Sequence, residues 1–218
     1  MTDHGSNTIF TVGHSDHGIQ RFIDLLVRHG ISAVADVRSM PYSKFTPQFN
    51  RDVLDAALGA ANIRHVFLGS ELGARRSEPE CYMDGKARYE LIARAPRFQE
   101  GLSRLQEWMQ RDRVALMCAE KDPVTCHRAI LVCRHLRPLG LTIYHILDDG
   151  RIETHAEMED RLLKITGVEG EDLFSGRSEA IERAYDIQGE RIAYSTSGAG
   201  PTSEDTEVEH QDIYNRFH

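Results

Sequence analysis

Short apolar runs of strand length alternate along this chain with amphipathic stretches, and this alternation limits the possible folds more than any other feature. Runs rich in β-branched and aliphatic residues are expected to be strands, and they fall at residues 8–12, 31–37, 63–68, 114–118 and 141–147. Apolar residues at helical spacing predict helices at residues 19–26, 51–61, 86–94, 96–108, 128–136 and 153–165. Helices between successive strands imply parallel crossovers. The sequence therefore predicts an α/β, Rossmann-like three-layer sandwich with a mostly parallel central sheet.

Charge divides the chain into a balanced body and an acidic tail. Residues 1–165 carry 22 Lys and Arg against 22 Asp and Glu, so the formal net charge of −8 arises entirely after residue 165. A balanced body lacks the broad basic face of a general DNA-binding protein. The predicted organisation is an N-terminal extension, one domain, a helical and extended appendage, and an acidic disordered tail. In that order, these parts occupy residues 1–7, 8–165, 166–194 and 195–218.

The chain shows no targeting or membrane-spanning pattern. Its apolar runs are far shorter than the ~20 residues that cross a bilayer, and residues 1–6 lack the pattern of a signal peptide. We therefore expect a cytoplasmic protein without a membrane partner. In that compartment cysteines are expected to be reduced thiols rather than disulfides. There are four of them, Cys81, Cys118, Cys126 and Cys133.

Polar side chains follow several predicted strands at the point where each strand ends. His14 and Ser15 follow the first strand, Asp36 and Arg38 the second, and Glu120 the fourth. The C-terminal ends of parallel strands meet at one edge of a sheet, which is where α/β proteins bind their ligands. We therefore expect these residues to gather, although each alone could instead cap a helix, form an ion pair or be solvated.

The stretch "CAEKDPVTCHR" at residues 118–128 concentrates reactive side chains after the fourth predicted strand. Cys126 and His127 are expected at the start of a helix, where unpaired amide groups and the helix dipole lower the pKa of a thiol. Arg128 could bind a phosphate or carboxylate with two hydrogen bonds. Glu120 is suited to acid or base catalysis, or to stabilising a positively charged transition state, and an ion pair with a nearby cation fits its position equally.

The same stretch contains residues that bind metals. Cys118, Cys126 and His127 are soft ligands, but the seven residues between the two cysteines match no common zinc motif. We therefore predict neither a metal nor another cofactor. Cys133 follows seven residues after Cys126 and is expected to pack in the core, where free cysteines are common.

Two loops offer further contacts for a ligand. Residues 38–50 are rich in turn-forming residues interleaved with Tyr42, Phe45 and Phe49. Such a loop could stack on a base or cover a substrate, and Arg75 on the next long loop could bind a phosphate. For Phe45 and Phe49 we expect burial in the core, which is commoner for phenylalanine than a stacking role.

Several of these motifs together resemble a known family. The motifs are "TVGHS" (11–15), "VADVRSMPYSKFTPQFN" (34–50), "LGSELGARR" (68–76), "LMCAEKDPVTCHRAILV" (116–132) and "YHI" (144–146). They resemble the bacterial and archaeal family known as domain of unknown function 488, over roughly residues 8–165. The family usually has a glycine where this chain has Ala74. The resemblance implies the same fold and a cytoplasmic bacterial or archaeal protein, and it implies no particular reaction.

Three functions fit these features. The first is an enzyme, of hydrolase or transferase type, acting on a nucleotide-like or otherwise phosphorylated anion at the C-terminal edge of the sheet. The second is a thiol-based redox switch or sulfur carrier using Cys118 and Cys126, and the third is a non-catalytic module that binds nucleic acid or protein. We favour the enzyme, with a small anion as partner, and the sequence leaves the oligomeric state open. Its catalytic candidates are Glu120, His14, Cys118 and Cys126, and its substrate-binding candidates are Ser15, Arg38, Tyr42, Arg75, His127 and Arg128.

Overall fold

A six-stranded sheet forms the centre of the computed structural model, which describes residues 7–169 and 176–196. Five strands of the sheet run parallel, and the sixth pairs antiparallel at one edge. A separate two-stranded hairpin lies in the long segment before the fourth sheet strand. The strands in chain order are β1 (Thr8–Gly13), β2 (Ala33–Asp36), β3 (Arg64–Phe67), β4 (Tyr82–Met83), β5 (Lys86–Ala87), β6 (Val114–Cys118), β7 (Thr142–Ile146) and β8 (Ile152–Thr154).

Helices cover both faces of the sheet and give the three layers that the alternating pattern predicts. The α-helices are α1 (Ile19–Arg28), α2 (Arg51–Ala60), α3 (Gly69–Leu72), α4 (Tyr89–Arg94), α5 (Pro96–Met109), α6 (Arg134–Leu136), α7 (His155–Thr166) and α8 (Arg177–Ile192). A π-helical segment, Arg128–Cys133, leads directly into α6. On one face, α1 and α2 bury aliphatic and aromatic side chains against the sheet. On the other, α5, the π-helical segment, α7 and α8 share the larger core. The prediction of an α/β three-layer sandwich is confirmed.

The order of strands places β6 in the middle of the sheet. The sheet runs β3, β2, β6, β1, β7, β8. In the Rossmann order the first two strands are neighbours, whereas here β6 lies between them. The connections that follow β1 and β2 pass through α1 and α2 on one face, and the connection that follows β6 passes through the π-helical segment on the other. Neighbouring strands whose connections leave on opposite faces open a crevice at their C-terminal ends.

Local departures from the sequence prediction lie in short elements. The predicted helix at 86–94 is wrong in its first residues, because Lys86 and Ala87 form β5 of a hairpin that turns at Asp84 and Gly85, both with positive φ. The helix predicted at 153–165 begins too early, because residues 153 and 154 belong to β8. Thr154 ends that strand and caps α7 with Glu157 in a reciprocal capping box.

The C-terminal segment folds back onto the hairpin. The Tyr194 carbonyl oxygen accepts a hydrogen bond from the Ala87 amide at 2.8 Å, and Ser195 forms a β-bridge with Lys86. Within the predicted helical and extended appendage, residues 177–192 form α8, and the chain after it makes a single β-bridge at Ser195. Residues 197–218 of the predicted acidic tail and residues 1–6 of the predicted N-terminal extension lie outside the described residues. Within the described ranges, no helix is both long and apolar enough to span a membrane.

Candidate active site

A cleft of about 630 Å³ opens at the C-terminal ends of β2 and β6. Its floor contains Cys118 at the end of β6, followed by Glu120 and His127. Its walls come from the loop after β2, from the loop after α3 and from the end of α8. The cleft therefore lies at the crevice that the order of strands creates.

Two thiols, a carboxylate and an imidazole meet at the floor of the cleft. Cys118 Sγ and Cys126 Sγ both donate to Glu120 Oε2, at 2.9 and 3.0 Å. His127 Nδ1 lies 3.5 Å from Cys118 Sγ, and His127 Nε2 lies 3.0 Å from the carbonyl oxygen of Val37. One ligand atom from each of the four side chains lies within 4.8 Å of the others. We call Cys118, Glu120, Cys126 and His127 the floor cluster.

The loop between β6 and the π-helical segment brings these residues together. Asp122 accepts a hydrogen bond from the Val124 amide at 3.0 Å and so starts the short 3₁₀ helix Pro123–Thr125. Arg161 holds the same carboxylate with two hydrogen bonds, which lower the pKa of Asp122. The chain thereby turns back at once, and Cys126 returns to the end of the strand that Cys118 terminates.

Burial and neighbouring charges give the two thiols different pKa values. Burial and the nearby thiol of Cys126 raise the pKa of Cys118 well above that of a free thiol. Burial also opposes ionisation of Cys126, but the nearby thiol of Cys118 and the charges of Arg128 and His127 hold its pKa well below that value. Burial, together with the proximity of Cys126, raises the pKa of Glu120. Cys126 is therefore the group of the pair that carries negative charge more readily.

Arg128 supports the floor cluster from beneath. Its side chain is fully buried, and it donates to the carbonyl oxygens of Glu120 and Lys121 at 2.6 and 3.1 Å. A third contact joins its Nε to the Thr11 hydroxyl at 3.4 Å. A guanidinium committed to main-chain oxygens fixes the loop that carries Glu120. The structure thus places Arg128 under the cleft and not on its surface.

The residues at the end of β1 lie behind the cleft. His14 is 3% exposed and stacks on Phe49 with ring centroids 4.2 Å apart. Burial and the charge of Arg38 lower the pKa of His14 to about 4. Ser15 has a positive φ of 49°, and its hydroxyl donates to Asp16. Neither His14 nor Ser15 lines the cleft.

Arg38 reaches the wall of the cleft but is held by acceptors of the protein. It forms a buried ion pair with Asp36 at 2.7 Å and donates to the Phe49 carbonyl oxygen at 2.9 Å. Its Nη1 lies 3.3 Å from His14 Nε2. Burial opposes ionisation of Asp36, but the His65 ring, 3.8 Å away, and hydrogen bonds from Arg38 lower its pKa. Arg38 therefore carries a charge that Asp36 largely neutralises.

The rim of the cleft exposes the side chains on which a ligand could rest. Phe45 is 84% exposed, and Tyr42 beside it is 38% exposed and donates to Asp52 at 3.3 Å. The prediction that Phe45 packs in the core is wrong, while the same prediction for Phe49, fully buried, is confirmed. Arg75 is exposed and lies over the ring of Tyr194, 4.6 Å from its centroid.

Other residues line the cleft, and no pattern in the sequence predicts that they do so. Tyr89 in α4 is 7% exposed, and burial raises its pKa. Ser39 accepts a hydrogen bond from the Arg75 amide at 2.9 Å and links the two loops of the wall. Ala74 also lines the cleft and has no positive φ, so an alanine fits there. Cys133 is fully buried in the core, as predicted.

The fold and the site define a class of protein: a three-layer α/β protein with a polar cleft at the C-terminal edge of a parallel sheet, at a topological switch point. A family model narrows the class, because it matches residues 18–134, a range that contains β2, β6 and the whole floor cluster. The chain belongs to the family described as domain of unknown function DUF488. No curated protein and no solved structure matches the chain.

Proposed function

We propose that the protein is an enzyme that binds a small anionic molecule, nucleotide-like or otherwise phosphorylated, in this cleft and performs hydrolysis or group transfer on it. One observation carries the proposal: an exposed arginine, which has no acidic partner among the residues that the structure describes, and exposed aromatic side chains surround a floor of thiol, carboxylate and imidazole groups. Clefts with a few converging polar groups and shifted pKa values are where small-molecule chemistry takes place.

Arg75 is the anion-binding group in this proposal. Within residues 7–169 and 176–196 no carboxylate pairs with its guanidinium, which instead stacks on Tyr194. Stacking leaves the edges of the guanidinium plane available for two hydrogen bonds to a phosphate or carboxylate. Arg38, by contrast, is paired with Asp36, so it holds the loops of the cleft in position more than it attracts an anion.

The exposed apolar side chains on the rim favour a ligand that also has a flat ring. Phe45, Met40 and Tyr42 are 84%, 47% and 38% exposed, and all three line the same cleft as Arg75. An aromatic face exposed to water beside an arginine suits a base joined to a phosphate. A nucleotide satisfies both groups at once.

The floor cluster supplies the chemistry. Glu120 opens into the cleft, and its raised pKa suits a carboxyl group that exchanges a proton with a substrate. Cys118 and His127 also line the cleft, whereas Cys126 lies behind them. Arg128 and the pair formed by Arg38 and Asp36 hold the loops that carry these groups.

A binding titration with matched variants tests the proposal. Nucleotides and sugar phosphates are screened by thermal shift, and the molecules that bind are titrated by calorimetry. Arg75→Ala is expected to weaken binding about tenfold or more, because a charge-assisted hydrogen-bond pair is lost. Phe45→Ala is expected to cost nucleotides about 1–3 kcal/mol and to leave sugar phosphates unchanged. Conversion of the bound molecule is then followed by mass spectrometry, and Glu120→Gln is expected to abolish it while binding persists.

Arg111→Ala is the matched control for the loss of a cation. Arg111 is exposed and precedes β6, so it lies at the opposite edge of the sheet. Its removal is expected to leave every dissociation constant unchanged. Absence of binding across the whole panel, or equal weakening by Arg75→Ala and Arg111→Ala, would contradict the proposal.

A further inference from the structure

Proton transfer by Glu120 does not require two cysteines beneath it, and the floor cluster contains two. Cys118, Cys126 and His127 are 3%, 1% and 8% exposed, so three soft ligands converge at a buried point. We propose that Cys118, Cys126 and His127 bind a divalent transition-metal ion of the zinc class, with Glu120 at the fourth position on the side of the cleft. Thiolate, imidazole and carboxylate are the ligands that zinc takes in proteins.

One separation between these ligand atoms already fits a tetrahedral ion, and two others require a small movement of Glu120. Ligands bound at zinc distances are roughly 3.3–3.8 Å apart when the geometry is tetrahedral. Cys118 Sγ and His127 Nδ1 are 3.5 Å apart. The two thiols lie 2.9 and 3.0 Å from Glu120 Oε2, so an ion requires an outward movement of that carboxylate by about half an ångström. Glu120 is exposed toward the cleft and has room to make it.

The orientation of His127 is an independent observation that points to a ligand. Its Nε2 lies 3.0 Å from the carbonyl oxygen of Val37, an acceptor that requires a proton on Nε2. Nδ1 is then the ring nitrogen left to bind an ion, and it faces the thiol of Cys118. Histidines that bind metals are held in this way, with the second ring nitrogen donating to a carbonyl or carboxylate oxygen.

The surroundings balance the charge that such an ion would leave. Binding expels the thiol protons to solvent, since thiolates and not thiols are the ligands. A dication with two thiolates and one carboxylate retains one negative charge, and the buried guanidinium of Arg128 lies next to it. The Arg128 amide is 3.5 Å from Cys126 Sγ and also favours the thiolate.

The spacing of the two cysteines along the chain is not that of a zinc motif. Cys118 ends a strand, Cys126 directly follows the 3₁₀ helix Pro123–Thr125, and the ion pair of Asp122 with Arg161 closes the loop between the two cysteines. An ion here would rest on the floor of the cleft and act on the anion bound above it, so this inference deepens the proposed function and rests on the same site.

Metal binding by the untagged full chain tests the inference. The protein is stripped with a chelator, dialysed against zinc or cobalt and analysed for metal content. About one ion per chain is expected, with cobalt giving the intense visible bands of a tetrahedral site and a thiolate-to-cobalt charge-transfer band. Cys126→Ser is expected to weaken zinc binding by at least about tenfold, and Glu120→Gln to shift the cobalt spectrum while the ion stays bound.

Cys133→Ala is the matched control, because it removes a buried cysteine at the end of the π-helical segment, outside the floor cluster. Its metal content and cobalt spectrum are expected to equal those of the wild type. The cobalt spectrum of the wild type decides the question even if the Cys126 variant fails to fold. A wild type that binds neither metal, or one that forms a disulfide between Cys118 and Cys126 in the presence of zinc, would overturn the inference.

The two proposals can fail separately. Absence of a metal with anion binding through Arg75 intact would remove the metal site alone. A bound metal with no anion binding anywhere in the panel would remove the proposed function alone.

Discussion

At the scale of single residues, Gly13 sets the distance between β1 and the loop that carries Glu120. A Cβ atom at this position would overlap the carbonyl oxygen of Glu120, which is main chain and cannot rotate away. The same oxygen accepts a hydrogen bond from Arg128 at 2.6 Å. The missing side chain of Gly13 therefore permits the contact that fixes the floor of the cleft.

Gly13→Ala is expected to lower the free energy of unfolding by about 1–3 kcal/mol, because an added methyl group in a closely packed site forces the backbone apart. Urea denaturation of the variant measures the loss. Gly59→Ala is the matched control, since nothing lies within 4 Å of an added Cβ in that helix, and it is expected to be neutral or stabilising by up to ~1 kcal/mol. Equal stabilities of the two variants would contradict the account.

The residues at the ends of strands can be predicted from the sequence, but the directions of their side chains cannot. His14 and Glu120 both follow parallel strands, yet the turn at Ser15 directs His14 behind Arg38, while Glu120 opens into the cleft. Phe45 and Phe49 belong to one loop, and the 3₁₀ turn at Pro47–Phe49 buries only the second ring. These directions depend on local φ and ψ values that residue type does not determine.

At the scale of elements, a chain of buried hydrogen bonds joins β1, β7, α7 and α8. The Thr11 hydroxyl lies 2.8 Å from His145 Nδ1, and His145 Nε2 lies 3.0 Å from His155 Nδ1. His155 Nε2 in turn lies 2.9 Å from the Tyr185 hydroxyl. Tyr185 also donates to Glu159 at 3.0 Å. Burial, with Arg137 nearby, lowers the pKa of His155 to about 4, and burial with the neighbouring His155 lowers that of His145 well below its ordinary value. Both rings are therefore neutral at physiological pH.

The free energy of unfolding is expected to fall as pH drops from about 6.5 to 4. The unfolded chain binds a proton at each histidine near pH 6.5, whereas folded His155 resists protonation down to about pH 4. The contribution is thus present above pH 6.5 and is lost on acidification, by about 3 kcal/mol for His155. Urea titrations at several pH values measure the slope, and His155→Gln is expected to flatten it.

Leu162→Ala separates this effect from a general loss of stability. Leu162 is fully buried in the same helix, so its truncation destabilises by about 2–5 kcal/mol but removes no titrating group. Its stability is expected to fall with pH in parallel with that of the wild type. A His155→Gln variant that keeps the full wild-type slope would show that the ring does not titrate as described.

Whether an element can be predicted from the sequence depends on its length. The five parallel strands and the longer helices have enough residues for the regular spacing of their apolar side chains to be recognised. The three residues of β8 and the two-residue strands of the hairpin do not, and the π-helical form of Arg128–Cys133 depends on packing against the sheet.

At the scale of the whole molecule, the position of β6 makes the site. Parallel direction follows from alternating strands and helices, so the edge on which functional groups gather could be predicted. The neighbours of β6 could not, since strand order depends on contacts between segments far apart in the chain. With β6 between β2 and β1, the floor cluster meets Arg75 and Phe45 across one cleft.

Mapping of a bound nucleotide by NMR tests whether the cleft at the ends of β2 and β6 is the binding site. The nucleotide that binds most tightly is titrated into ¹⁵N-labelled protein, and amide shifts are followed to saturation. Changes are expected at residues 38–45, 74–75, 118–120, 125–127 and 192–194, which line the cleft or adjoin its lining residues. Saturation with the changes confined to the opposite edge of the sheet or to the outer face of α7, and none at these positions, would contradict binding in the cleft.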